Sequence, residues 1–170
     1  DVPNVPFGGN ATFADLHNQL YNAISLFPHV KYTERLNLHY ARMGDPIFNG
    51  AVFDYSQWLA TNKREIASST GLRIEVIHPV LTTSLPRKFS GLAERLEWWC
   101  RIKNGAFNGQ AGLQFSINST NEDQRREMFG GQALTLEEFS VIARDLPEPV
   151  SRKYCLNFAF STDFEIDAKK

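Results

Sequence analysis

The sequence predicts an α+β fold: an antiparallel sheet of about five strands with helices packed on one face. Three observations lead there. Several segments alternate apolar and polar residues, as half-buried strands do. Segments with helical spacing stand at the start, in the middle and before the last alternating run. Asn104-Gly105 and Asn108-Gly109 supply turn signals between two alternating runs, the mark of a hairpin. The chain of 170 residues is 42% hydrophobic and 12% aromatic, enough for one real core and too apolar for a disordered chain. It divides into a flexible Pro/Gly arm over 1–11, a single domain over 12–164 and a charged tail over 165–170. Starting at Asp1, without Met or a signal-like stretch, it reads as a mature product or a trimmed domain.

Thr12 followed by Asp15 reads as a capping box, and Phe13, Leu16, Leu20, Ile24 and Phe27 follow at helical spacing until Pro28. Val30, Tyr32, Leu36, Leu38 and Tyr40 then share one parity of a strand whose other face, with Arg35, Asn37 and His39, is wet. Asp54 and Gln57 are expected to cap a second helix through Trp58 to Ile66, closed by Gly71. Leu72, Ile74 and Val76 open a second strand, and Pro79 suggests a sheet edge or a strand end. Leu92, Leu96, Trp98, Cys100 and Ile102 read as a third strand, returning through Leu113, Phe115 and Ile117. Ser119 with Glu122 and Thr135 with Glu138 read as two further capping boxes. Tyr154, Leu156, Phe158 and Phe160 form the last strand.

Eighteen basic and nineteen acidic side chains leave a net charge of -1, so nucleic acid is not expected as a partner. No apolar run reaches about 18 residues, so no transmembrane segment is expected. His17, His29, His39 and His78 lack metal-ligand spacing, and no cofactor motif occurs; Gly8-Gly9 and Gly130-Gly131 lack the Lys and Ser/Thr of a phosphate loop. The carboxylates of Asp163, Glu165 and Asp167 read as a solvated terminus rather than a cation site. Glu94 and Glu97 fall on opposite parities of the expected strand, and no nucleophile elbow is present, so the chain reads as a non-enzyme. Cys100 and Cys155 could close one disulfide in an exported domain or remain thiols in a reducing, cytoplasmic compartment; the thiol state is put first. Asn10 and Asn118 stand in glycosylation sequons that matter only in a secreted protein.

One surface feature remains. On a strand, an inward Trp98 forces Trp99 outward, with Arg95, Arg101 and Lys103 beside it. Such a patch calls for a cover, either another part of the chain or a partner protein or second copy, since Trp and Arg are enriched at contact centres. Arg87 and Lys88 add a small basic loop that could touch a membrane surface peripherally, and Arg125-Arg126 a second solvated pair.

Residues 36–85 resemble the core of rhabdovirus matrix proteins. The resemblance rests on a wet-faced strand, the turn Asp45-Pro46-Ile47-Phe48, a helix with Trp58, the step Gly71-Leu72-Arg73 and an apolar segment ending at Thr82-Thr83-Ser84. It implies a non-enzymatic assembly protein that self-associates and bridges a nucleocapsid to a membrane. The lysine-rich amino-terminal segment and the proline-tyrosine motif of that family are absent, and no site residue carries over. The expected function is therefore structural: self-association and partner binding through Trp99, Arg95, Arg101, Lys103, Arg87 and Lys88. An exported binding domain with one disulfide, and an enzyme whose pocket joins distant residues, are the alternatives.

Overall fold

A computed structural model describes residues 8–40, 44–159, 162–163, 165–167 and 169. Helix α1 (Phe13–Ser25) starts at the expected capping box, in which Thr12 and Asp15 exchange hydrogen bonds. Strand β1 (Tyr32–Tyr40) follows. Asp45 then caps a short 3-10 turn over Pro46–Phe48. Asn49, rather than Asp54, caps α2 (Gly50–Thr61), and α3 (Lys63–Thr70) continues after a break at Asn62. Gly71 ends α3 in the left-handed conformation at φ 72, where an L side chain would be strained. Next come β2 (Arg73–Thr83), α4 (Leu92–Arg101) and a π-helical turn over Ile102–Ala106. The chain closes with β3 (Gly112–Asn118), α5 (Glu122–Met128), α6 (Leu136–Asp145) and β4 (Cys155–Phe158). Asn121, not Ser119, caps α5, whereas Thr135 and Glu138 form the expected box on α6.

The four strands lie in the order β1-β2-β3-β4 and every pair is parallel. This overturns the antiparallel sheet and the α+β class: the fold is α/β. Each strand is separated from the next by helix, and a parallel pair requires such a crossover. The alternation that suggested hairpins is real, but it reports one buried face and says nothing of strand direction. Leu81, Leu113, Phe115 and Ile117 are buried on the helix side and join one core with Val52, Phe53, Tyr55 and Leu59 of α2 and Leu96 and Trp99 of α4. On the other side, Arg35, Asn37 and His39 are exposed, and Thr82, Gln114, Ser116 and Asn157 are half-buried.

The expected strand over 92–103 is helix α4. Its buried residues Leu92, Leu96, Trp99 and Cys100 recur at three- and four-residue intervals, the helical period. Trp98 next to Trp99 allowed the same residues to be read at a period of two. On the helix both indoles point toward protein. Trp99 is fully buried and its Nε1–H donates to Gly112 O at 2.9 Å; Trp98 is half-buried and stacks on Phe53 at 4.7 Å. Pro79 lies inside the sheet rather than at its edge. It pairs with Leu38 of β1, and β3 begins only one residue later, opposite Val80. The carboxyl-terminal residues are tied down where described: Glu165 O accepts from Thr120 N at 2.9 Å and Ser119 Oγ at 2.8 Å, and Asp167 N donates to Thr120 Oγ1 at 2.6 Å. Residues 1–7 of the arm and Phe160 of the last expected strand lie outside the described residues.

The turn at Asn108-Gly109 links the π-helical turn to the entry of β4. Gly109 sits at φ 78, and a Cβ there would stand 2.6 Å from Ser151 N. Its carbonyl accepts from Lys103 Nζ at 2.8 Å and from Arg152 N at 3.1 Å. Gly109→Ala is therefore expected to lower the unfolding free energy by about 2 kcal/mol or more. Gly105→Ala, where a Cβ meets nothing within 4 Å, is expected to change it little. Urea denaturation of both variants checks this, and equal effects would refute the close-packing account.

Candidate functional site

Parallel sheets are usually covered on both faces. Here the face opposite the helices carries Arg35, Asn37 and His39 from β1, His78, Val80 and Thr82 from β2, Gln114 and Ser116 from β3, and Cys155 and Asn157 from β4, aligned by register. Polar side chains make it tolerable to water. Gln114 Oε1 accepts from Thr82 Oγ1 at 3.1 Å and Asn157 Nδ2 at 3.2 Å, so one amide joins three strands across the middle of the face.

A cleft of about 330 Å³ lies at the carboxyl ends of the strands, lined by Gly44, Asp45, Thr82, Thr83, Ser84, Ser116, Asn118, Met128 and Phe129. Asp45 shapes its wall. Its Oδ1 accepts from Ile47 N at 3.1 Å, while Oδ2 accepts from Thr83 Oγ1 at 2.9 Å, Ser84 N at 2.6 Å and Ser84 Oγ at 2.8 Å. The loop after β1 is thereby fastened to the loop after β2. Asn118 ends β3 at φ 65, a left-handed conformation that Asn tolerates better than most residues. A register shift between Ser116 and Asn118 accompanies it. Neither the Ser116 hydroxyl nor the Asn118 amide has a hydrogen-bond partner among the described residues, and both side chains are half-buried in the cleft wall. Asp45 is the one titratable residue of this lining.

Further along the same face, a cavity of about 570 Å³ is lined by Arg35, Asn37, His39, His78, Val80, Gln110, Ser151 and Arg152. His78 is buried; its Nδ1 stands 2.9 Å from Asn37 Oδ1 and its Nε2 faces Arg152 Nη1. The ring thus lies between an amide oxygen and a guanidinium, whose Nη1 also stands 3.4 Å from Nδ1. Burial, with Arg152 next and Arg35 and His39 behind it, pushes the His78 pKa down.

The residues expected to form a contact patch are dispersed. Trp99 is buried, and so is Lys103, whose ammonium donates to Gly109 O and lies 5.7 Å from the centre of the Tyr154 ring. Burial holds the Lys103 pKa below its ordinary value. Arg95 lies half-buried over the Phe53 and Trp98 rings, at 5.1 and 5.2 Å. Arg101 is exposed and paired with Glu97 at 2.5 Å, one helical turn away. Arg87 is exposed and paired with Glu138 at 2.6 Å, and its neighbour Lys88 is exposed. Arg125, expected at the surface, is buried: its guanidinium donates to Ile117 O and Leu134 O, bracing β3 against the loop before α6.

Sequence reasoning passed over the two sites on the polar face. Their residues come from three strands, the loops beside them and the end of α5, with no linear spacing to betray them. The one available signal was the polar parity of β1, with Arg35, Asn37 and His39 in alternation. The cysteines are both free. Cys100 lies in the core beneath the sheet, where Tyr154 Oη donates to its sulfur at 3.1 Å, and Cys155 pairs opposite Gln114 on the polar side. Among the described residues no group of His, Cys, Asp and Glu could hold a metal ion, and no helix is long and apolar enough to cross a membrane. Comparison with protein-family models, curated proteins and solved structures gave no significant match.

Two measurements test this site description. Burial raises the Cys100 thiol pKa, so a thiol reagent should modify Cys155 in the native protein and Cys100 only after unfolding. Equal rates at both would contradict the burial. For His78, a folded pKa below the ordinary value of about 6.5 means that the unfolded chain takes up the proton first as pH falls. Stability is then complete above about pH 6.5 and declines below it, by at most about 1.4 kcal/mol per pH unit for this group. The decline should flatten in His78→Gln, followed by urea denaturation across that range.

Proposed function

We propose that this chain is a binding module for a small polar molecule, seated at the carboxyl ends of its parallel strands. The supporting observation is the pair of half-buried, unpartnered polar side chains, Ser116 and Asn118, facing a cleft between the ends of β1, β2 and β3. In parallel α/β sheets ligands bind beyond the carboxyl ends of the strands, because the connecting loops gather there while the sheet holds them rigid. The cleft volume of about 330 Å³ suits a molecule at the small end of the usual range. Ser116 and Asn118 offer donors and acceptors, and Met128 and Phe129 offer one apolar wall, which together favour a ligand with hydroxyl or amide groups on one side and an apolar or planar group on the other.

Binding rather than catalysis is the better reading. The lining contains no base beside a nucleophile, and the Asp45 carboxylate is taken up by four donors. The outward-facing Trp99 expected as a contact for a structural assembly role lies in the core.

The test is thermal unfolding in the presence of sugars, amino acids and nucleosides at millimolar concentration. At least one of these classes should raise the unfolding temperature of the native protein. Asn118→Gly, which keeps the left-handed backbone but removes the amide, should weaken that binding by about tenfold, and Ser116→Ala should weaken it less. A shift that survives both substitutions, or no shift with any class, would defeat the proposal.

A further inference from the structure

We infer that the cavity framed by Arg35, His39, His78 and Arg152 is a phosphate-binding site for a phosphorylated small molecule. The inference stands apart from the carboxyl-end cleft, since it concerns different residues and a different ligand group. Four Arg and His side chains converge on one concave stretch of the polar face, and no carboxylate is among the lining residues. Arg35 and Arg152 form no ion pair among the described residues. Two guanidinium groups left without counter-charge on one wall are an unusual arrangement for a chain whose overall charge is -1.

The surroundings are built to hold one of these cations in place. Arg152 reaches back over the sheet at Gly112, where a Cβ would stand 3.2 Å from its Nη1 and 3.0 Å from both methyls of Val80. A Cβ there would press on both side chains. The backbone of this arginine is fixed by the bond from Arg152 N to Gly109 O. Its Nη1 lies against the His78 ring, facing Nε2 and 3.4 Å from Nδ1, and His78 Nδ1 stands 2.9 Å from Asn37 Oδ1. The His78 ring thus sits against one guanidinium nitrogen and leaves the remaining N–H donors of Arg152 free to face the cavity. Gln110 and Ser151, joined at 3.0 Å, close the side toward β4.

Phosphate fits this set better than a carboxylate does. Its oxygens are spread tetrahedrally and can accept from Arg35 and Arg152 together, whereas a planar carboxylate is satisfied by one guanidinium fork. Arginine forks recognise phosphate by shape as well as charge, and the exposed His39 ring adds a nitrogen to the same wall. The cavity volume of about 570 Å³ leaves room for the organic part of a phosphate monoester. The net charge of the chain argues against a long polyanion, which needs many cations along its track.

Inorganic phosphate is the probe, titrated calorimetrically into the whole chain at constant ionic strength set with chloride. Binding with a Kd of about 1 mM or tighter is expected. Arg35 is exposed and without an ion-pair partner among the described residues, so Arg35→Gln should leave folding intact and weaken phosphate binding by about tenfold. Adding Arg152→Gln should abolish it, and Arg64→Gln on α3, away from the cavity, should not change it. Glycerol phosphate binding at least as tightly as free phosphate supports a monoester ligand. No heat with phosphate, an affinity unaltered by Arg35→Gln, or a short single-stranded RNA that binds while phosphate does not, each overturns the proposal.

Discussion

A parallel strand cannot be reached by a tight turn, and this constraint organises the molecule. Every return to the sheet needs a crossover, and crossovers between parallel strands share one hand almost without exception. When such strands are laid down in simple succession, β1-β2-β3-β4, each crossover falls on the same side. The helices therefore collect on one face and build one core there, and the other face is left without a cover from these elements. Whatever the second face does, it has to do in contact with water or a ligand, and its composition is polar for that reason.

The core side is held by aromatic packing with polar ends satisfied. Trp99 meets Tyr40 and Phe53 edge-on at 6.2 and 5.9 Å, and its indole N–H is spent on Gly112 O, the first residue of β3. Helix α4 is thereby locked to the sheet at the point where β3 begins. Truncating such a side chain costs several kcal/mol as a rule, so this is packing the fold cannot lose cheaply. At the opposite end of the strands the ties are polar. Asp45 joins two loops, and the buried Arg125 guanidinium joins β3 to the loop before α6 through carbonyl oxygens. Rigid walls of this kind allow Ser116 and Asn118 to remain unpaired without the cleft collapsing around them.

Much of the local structure was legible. The capping boxes at Thr12 and Thr135, the left-handed stop at Gly71 and the wet parity of β1 follow from short-range chemistry, and each stands where it was expected. The 92–103 segment was misread because tandem tryptophans satisfy either period, and only the contacts of Trp99 choose between them. The lysine at 103 looked like a surface cation because nothing near it in sequence announces the carbonyl of Gly109 that receives it. Arg125 was misplaced in the same way, its acceptors lying eight and nine residues off at Ile117 and Leu134.

By itself the sequence determined where α1 and α6 begin, where α3 stops and that β1 has one wet face, because those are consequences of neighbouring residues and their backbone preferences. Strand direction, and with it the class of the fold, was decided only in three dimensions, since alternation looks identical in a hairpin and in a parallel crossover. The two polar sites were decided there as well. A cleft whose walls come from separate strand ends, and a cavity joining Arg35 to Arg152, exist only once the sheet has set its register.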